Sequence, residues 1–106
     1  MKDCVFCKIA NGEISTGKEE ENDSLVVVKD INPRAPIHLL IIPKKHVTDI
    51  LETDDTLWIE IKKMAIKLSE EKKLIGFRLV HNAGSAAIVQ HMHIHFLAEI
   101  GADREI

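Results

Sequence analysis

His91-Met92-His93-Ile94-His95-Phe96-Leu97 sets how the rest of the chain is read. Side chains alternate between faces along a strand, so His91, His93 and His95 share one face and Met92, Ile94 and Phe96 the other. The apolar set is expected to lie on a core, leaving three imidazoles together at a solvent-facing site. Imidazole serves as a metal ligand, a nucleophile or an acid/base near neutral pH, and the pattern alone leaves all three open.

Working outward from this strand, residues 91–97, the other elements fall into place. His38-Leu39-Leu40-Ile41-Ile42, closed by Pro43, is nearly all apolar and reads as a central strand covered on both faces. Leu25-Val26-Val27-Val28-Lys29 is a β-branched strand stopped by Asp30-Ile31-Asn32-Pro33, and Phe77-Arg78-Leu79-Val80-His81 is a third. A helix is predicted from about Asp55 to Lys73. Leu57, Ile61, Met64, Ala65 and Leu68 form its apolar stripe, and Asp54 or Asp55 is its N-cap. Trp58, Ile59 and Ile66 widen that stripe beyond the needs of one sheet face, which points to a subunit contact. Residues 4–10 read as a short helix or turn ending at Asn11-Gly12, followed by a short hairpin through Glu13-Ile14-Ser15. Glu19-Glu20-Glu21 reads as a solvated connection and Asn82 to Ala87 as a loop. The fold class is α+β, with a mostly antiparallel five-stranded meander, one main helix and a short N-terminal helix.

The 106 residues, 45% of them hydrophobic, suffice for one domain over 1–106 and one core. The formal charge of −3, with scattered basic residues, argues against binding long nucleic acid, which needs a concentrated cationic stripe. No apolar run approaches the ~20 residues of a membrane span, and Met1-Lys2-Asp3-Cys4 does not read as a signal peptide. A cytoplasmic, membrane-free protein is therefore expected.

Cys4 and Cys7 are the only cysteines. In a reducing compartment the C-x-x-C spacing fits metal binding or redox work better than a structural disulfide. Two thiolates with the imidazoles of His46 and His91 would complete a tetrahedral Zn²⁺ site. A thioredoxin-type pair is less fitting, because no strand precedes it to launch the helix such a site uses. Two unremarkable thiols remain the third reading.

Taken together, these residues resemble the histidine triad superfamily. Its signature of His-x-His-x-His followed by two apolar residues stands intact at His91 to Leu97. Cys4-Val5-Phe6-Cys7-Lys8-Ile9 looks like the family's opening, Asp30 to His38 like its nucleoside-binding turn, and Ile42-Pro43-Lys44-Lys45-His46 like the segment after its central strand. The pattern is most similar to the small purine-nucleoside phosphoramidases. The resemblance implies that His93 is the nucleophile attacking the α-phosphorus, that His95 contacts the phosphate or leaving group, and that His38 helps fix an imidazole's proton. It implies that Asp30 takes the ribose hydroxyls, that Phe6, Ile9 and Ile31 line the base pocket, and that Asn82 lies on the phosphate side. It also implies that Cys4, Cys7, His46 and His91 hold structural zinc, and that the protein is a homodimer joined through a strand and the helix. Relatives that transfer nucleotides to sugar phosphates replace the third histidine by glutamine. His95 therefore favours hydrolysis of a P–N or P–O bond.

The loop before the triad departs from the family pattern. Asn82-Ala83-Gly84-Ser85-Ala86-Ala87-Ile88-Val89-Gln90 is shorter, with Ala87 where the family has glutamine and Ile88 where it has a hydroxyl residue. Losing one preorganised donor typically costs ~10²–10³ in turnover. Backbone amides of the loop, or Ser85, are the available replacements. The departure motivates a second expectation: a nucleotide-binding regulatory module with vestigial activity. Residues 98–106 lack the tryptophan-and-proline ending of some relatives, so substrate detail does not carry over. His81, beside the loop, reads as a satisfied edge histidine or an extra phosphate contact.

Overall fold

The computed structural model describes residues 4–14 and 17–105. Cys4 caps the first helix, α1 (Val5–Ala10), its sulfur accepting the Cys7 N–H at 3.3 Å. Beyond Ala10 the expected hairpin through Glu13 and Ile14 does not form, and Ser15 lies outside the described residues. The N–H groups of Glu13 and Ile14 instead donate back to the Lys8 carbonyl, at 2.8 and 3.2 Å, across Gly12 at φ +86°. The open carbonyls at the helix end capture these amides before a strand can.

Glu19-Glu20-Glu21 is not a free connection. It belongs to β1 (Lys18–Glu21), an edge strand paired antiparallel with β2 (Leu25–Lys29) through a bulge between Lys18 and Glu20. Cations from elsewhere offset its charge: Lys72 reaches Glu19 at 3.1 Å, Lys67 reaches Glu20 at 2.9 Å, and Lys44 reaches Glu21 at 2.8 Å. A charged edge also resists pairing with a foreign strand.

β3 (Ile37–Pro43) is the central strand, as its continuous apolar run implies, with all but its first residue buried. The five-stranded sheet has the order β1-β2-β3-β5-β4 and every pairing is antiparallel. It departs from a simple meander in one place. The hairpin of β4 (Phe77–His81) and β5 (Ile94–Ala98) follows the main helix and inserts β5 beside β3, leaving β4 at the edge.

The main helix, α2 (Asp55–Glu71), starts at the Asp54 cap, whose carboxylate accepts the Leu57 N–H at 2.8 Å. It buries Ile61, Met64, Ala65 and Leu68, as the stripe predicts, against Leu25, Val27, Leu39, Ile41, Ile94 and Phe96. Lys73, at φ +54°, turns the chain out of it. Trp58, Ile59 and Ile66 remain part-exposed. On the opposite face, Phe6 and Ile9 of α1 pack with Val26, Val28, Leu40 and Ile42. Among the described residues, no helix is long and apolar enough to cross a membrane.

The triad segment corrects two expectations. The strand begins only at Ile94, so His91 and His93 lie on its approach. Continuing the register Ile41↔Ile94 would set Pro43 opposite Met92, and proline has no N–H to extend the ladder. Nor do the first two triad histidines face solvent, whereas His95 is part-exposed. His91 is fully buried and His93 is 8% exposed, because α1 lies over them. The Phe6 ring meets the His93 ring edge-on at 4.8 Å and the His91 ring at 6.0 Å. Met92, Ile94 and Phe96 do lie in the core, as the alternation requires.

Candidate active site and metal centre

Each triad histidine has a defined partner, and the partners assign its nitrogens by hydrogen-bond logic. His91 Nε2 lies 2.8 Å from the Pro43 carbonyl and donates to it, which leaves the Nδ1 lone pair free. His93 Nδ1 donates to the His91 carbonyl at 2.9 Å, leaving Nε2 unprotonated. His38 Nδ1 accepts the Arg34 N–H at 3.0 Å, so its proton sits on Nε2, 2.9 Å from His95 Nδ1 and 3.3 Å from Asp30 Oδ2. His95 Nδ1 is then an acceptor, and its own N–H is on Nε2.

Burial first, then neighbouring imidazoles, pushes His95 down to about 4. Burial also lowers His38 and His93 from the ordinary imidazole value, the Asp30 carboxylate and the His91 carbonyl opposing it respectively. These three rings are neutral at pH 7. The site thus holds an imidazole with a bare nitrogen, His93, whose ring centroid is 5.2 Å from that of His95, an imidazole with a fixed donor.

A cavity of about 470 Å³ opens beside His95 and His38. Asp30 and Asn82 line it, and Arg34, Arg78 and Arg104 bring positive charge to it from three separate parts of the chain. Arg78 also holds the C-terminal segment, donating to the carbonyls of Arg104 and Glu105 at 3.2 and 3.4 Å. Asp30, His38, His95 and Asn82 are therefore brought together. Phe6 and Ile9 lie instead in the α1 core cluster, with Phe6 touching His93, and Ile31 stands 91% exposed on its turn. His81 is satisfied through both ring nitrogens: Nε2 accepts the Ile50 N–H at 3.0 Å and Nδ1 donates to the His93 carbonyl at 3.3 Å. It offers no nitrogen to a phosphate.

Cys4, Cys7, His46 and His91 converge at the other end of the triad, their ligand atoms all within 4.8 Å of one another. The His91 Nδ1 atom lies 3.2 Å from Cys4 Sγ, 3.3 Å from Cys7 Sγ and 3.1 Å from His46 Nδ1. Cys7 Sγ lies 3.1 Å from His46 Nδ1. A tetrahedral ion with ordinary Zn–N and Zn–S bonds sets such edges at roughly 3.3 to 3.6 Å, so the set fits a metal with little adjustment. The chemistry fits as well. The Pro43 carbonyl orients the lone pair of His91 inward, and the Cys7 N–H already points at the Cys4 sulfur. Burial pushes the Cys7 thiol up, so a bound cation is what would favour its thiolate.

Residues 3–103 match the family model for the scavenger mRNA decapping enzyme C-terminal binding region. A HIT family hydrolase from Clostridium thermocellum has the same fold, with a TM-score of 0.91 and 36% identity over 100% of this chain and 98% of that one. The chain belongs to the histidine triad (HIT) superfamily. Protein HitA of Neisseria gonorrhoeae is 38% identical over 103 residues, which span 92% of this chain and 96% of that protein. A Zn-bound histidine triad family protein from Mycobacterium smegmatis aligns with a TM-score of 0.85 and 25% identity, over 97% of this chain and 79% of that one. The HIT-family site here is hydrolase-like, and a metal-ligand cluster adjoins it.

Sequence reading did not identify Arg34, Arg78 and Arg104 as a group. They come from a turn, an edge strand and the C-terminal segment, and no spacing announces their convergence. Asp49, a buried carboxylate in the segment after β3, was missed for the same reason.

Proposed function

We propose that this HIT protein is a nucleotide-binding hydrolase that cleaves a P–N or P–O bond at the α-phosphorus of a purine nucleoside 5′-phosphate derivative. The observation that carries the reading is the His93 Nδ1–H bond to the His91 carbonyl, which leaves Nε2 with a bare lone pair. His93 Nε2 attacks phosphorus, a P–N bond to His93 forms, and the bond to the leaving group breaks, the departing nitrogen or oxygen carrying off a proton taken from solvent. His95 Nε2–H supplies a donor at the reacting phosphate or departing atom. The adduct keeps its proton on Nδ1, which still donates to the His91 carbonyl, and so carries imidazolium character, which makes it labile to water. Water then attacks phosphorus, the P–N bond to His93 breaks, the water's proton returns to solvent, and the nucleoside monophosphate leaves neutral His93 behind. In-line displacement needs little beyond such positioning and donors for the equatorial oxygens.

In this reading Asp30 takes the ribose hydroxyls, Asn82 lies on the phosphate side, and exposed Ile31 meets the base together with the edges of Phe6 and Ile9. Zinc at Cys4, Cys7, His46 and His91 ties α1 to the start of the catalytic strand and supplies no chemistry to the reaction. The protein is a cytoplasmic homodimer. Support comes from the edge position of β4 and from part-exposed Phe77, Leu79, Trp58, Ile59 and Ile66 on β4 and α2.

A second reading is a nucleotide-binding regulatory module with vestigial activity. Ala87 and Ile88 favour it: neither supplies a side-chain donor, and Ile88 is 99% exposed. Single-turnover hydrolysis of an adenosine phosphoramidate by the parent and by His93→Ala, with AMP binding measured alongside, separates the two. Turnover in the parent alone supports the hydrolase. Equal background rates with intact AMP binding support the module.

A further inference from the structure

Among the described residues, His38, Asp49, His91 and His93 are the buried polar or charged side chains. The three histidines belong to the site already described; Asp49, 4% exposed, does not touch it. Asp49 lies in the segment that leads from His46 to α2. Its Oδ1 accepts the Leu51 N–H at 2.9 Å, and its Oδ2 crosses to the loop before the triad to accept the Gly84 N–H at 2.9 Å. These amides hold its carboxyl below the usual carboxylate range. Gly84 sits at φ +60°, so the carboxylate grips the loop at its left-handed turn.

The next residue, Ile50, makes the second tie. Its N–H donates to His81 Nε2 at 3.0 Å, and His81 Nδ1–H donates in turn to the His93 carbonyl at 3.3 Å. Asn82 and Ala83 therefore span the interval between two anchored points. The segment's third tie is to the triad itself, where the Met92 N–H donates to the Val47 carbonyl at 2.7 Å. Residues 47–50 thus hold the loop before the triad, the triad backbone and the nucleophile's own carbonyl from one side.

We propose that Asp49 and His81 are positioning residues for the reaction at His93. They set Asn82 and the loop around Gly84 in register with the His93 imidazole, a task for which Ala87 and Ile88 bring no side-chain hydrogen bonds. A carboxylate suits this because both amides at Asp49 are donors. An asparagine would present its NH₂ to one of them and break that tie. The inference rests on the hydrolase reading, and its effect is on geometry: misplacement of a reacting group by about 1 Å costs up to ~10²-fold in rate.

The test uses the purified full chain with Asp49→Asn, His81→Phe and His81→Gln. The readouts are melting temperature, AMP affinity and the single-turnover rate of nucleotidyl transfer, all well below the melting transition. His81→Phe retains an aromatic ring beside Trp58 without either hydrogen bond, whereas glutamine offers one donor and one acceptor. Expected are rate losses of ~10- to 100-fold in Asp49→Asn and His81→Phe, AMP affinity within about threefold of the parent, and partial rescue by His81→Gln. Unchanged rates in both variants, with only a lowered melting temperature, would overturn the proposal and leave both residues structural. A parent no faster than His93→Ala defeats the hydrolase reading by itself. The positioning is then decided by NMR, from the AMP-induced shift of the Asn82 side-chain amide: its loss in Asp49→Asn supports the proposal and its persistence overturns it.

Discussion

His38 Nε2 stands 2.9 Å from His95 Nδ1, and this contact decides which face of His95 donates. Because the Arg34 N–H occupies the other nitrogen of His38, the proton between the two rings belongs to His38. His95 is left with its N–H on Nε2. The relay needs no net charge, in keeping with the lowered proton affinity of both rings.

Replacing His38 tests that relay. In His38→Gln the side-chain amide reaches differently and no longer fixes the His95 tautomer. A fall in kcat of roughly 10- to 100-fold is expected with little change in AMP affinity, since a mis-set donor acts on the transition state. Steady-state kinetics together with AMP titration by calorimetry checks this. An unchanged kcat would remove His38 from the account.

The four-ligand cluster makes a stoichiometric claim. Purified protein is expected to carry about one zinc per chain by elemental analysis. Chelation, or Cys7→Ser, is expected to destabilise the fold by at least about 2 kcal/mol, a drop in melting temperature of roughly 8–16 °C for a domain of this size. A zinc content near zero in protein never exposed to chelator would refute the metal site.

Acid should weaken the fold through its buried imidazoles. The ordinary value for histidine is 6.5, and His95 is held down to about 4. As pH falls below 6.5, the unfolded chain binds a proton on His95 that the folded protein refuses until near 4, so stability falls with pH across that window. The slope from one such histidine is about 1.4 kcal/mol per pH unit, and His38, lowered in the same direction, adds to it over its own range. Urea unfolding at a series of pH values is expected to show the decline, with a shallower slope in His95→Gln. Stability independent of pH between about 6.5 and 4.5 would show that these rings are not buried in neutral form.

The fold was legible wherever burial imposes a period on one stretch of chain. Val26 to Val28 and Leu39 to Ile42 declare a doubly covered sheet centre, and Ile61, Met64 and Leu68 declare the inner face of α2. The strand at Glu19-Glu20-Glu21 was not legible, because its like charges are offset by Lys72, Lys67 and Lys44, which lie far away in sequence. At the site, alternation placed Met92, Ile94 and Phe96 correctly in the core. It could not reveal that Phe6 would cover His91 and His93, since that lid arrives from the opposite end of the chain. Asp49 had no local signal for a similar reason: its defining partner, Gly84, becomes its neighbour only when the sheet has formed.

The most direct test of the central claim is to catch the nucleotide on His93. Protein mixed with an excess of adenosine phosphoramidate, quenched in alkali within one turnover and weighed intact, should gain the mass of one adenylyl group, mapped to the peptide carrying His93. The His93→Ala variant should gain none. Turnover in the parent with no adduct at any time, or an adduct that survives in His93→Ala, would contradict nucleophilic catalysis by this histidine.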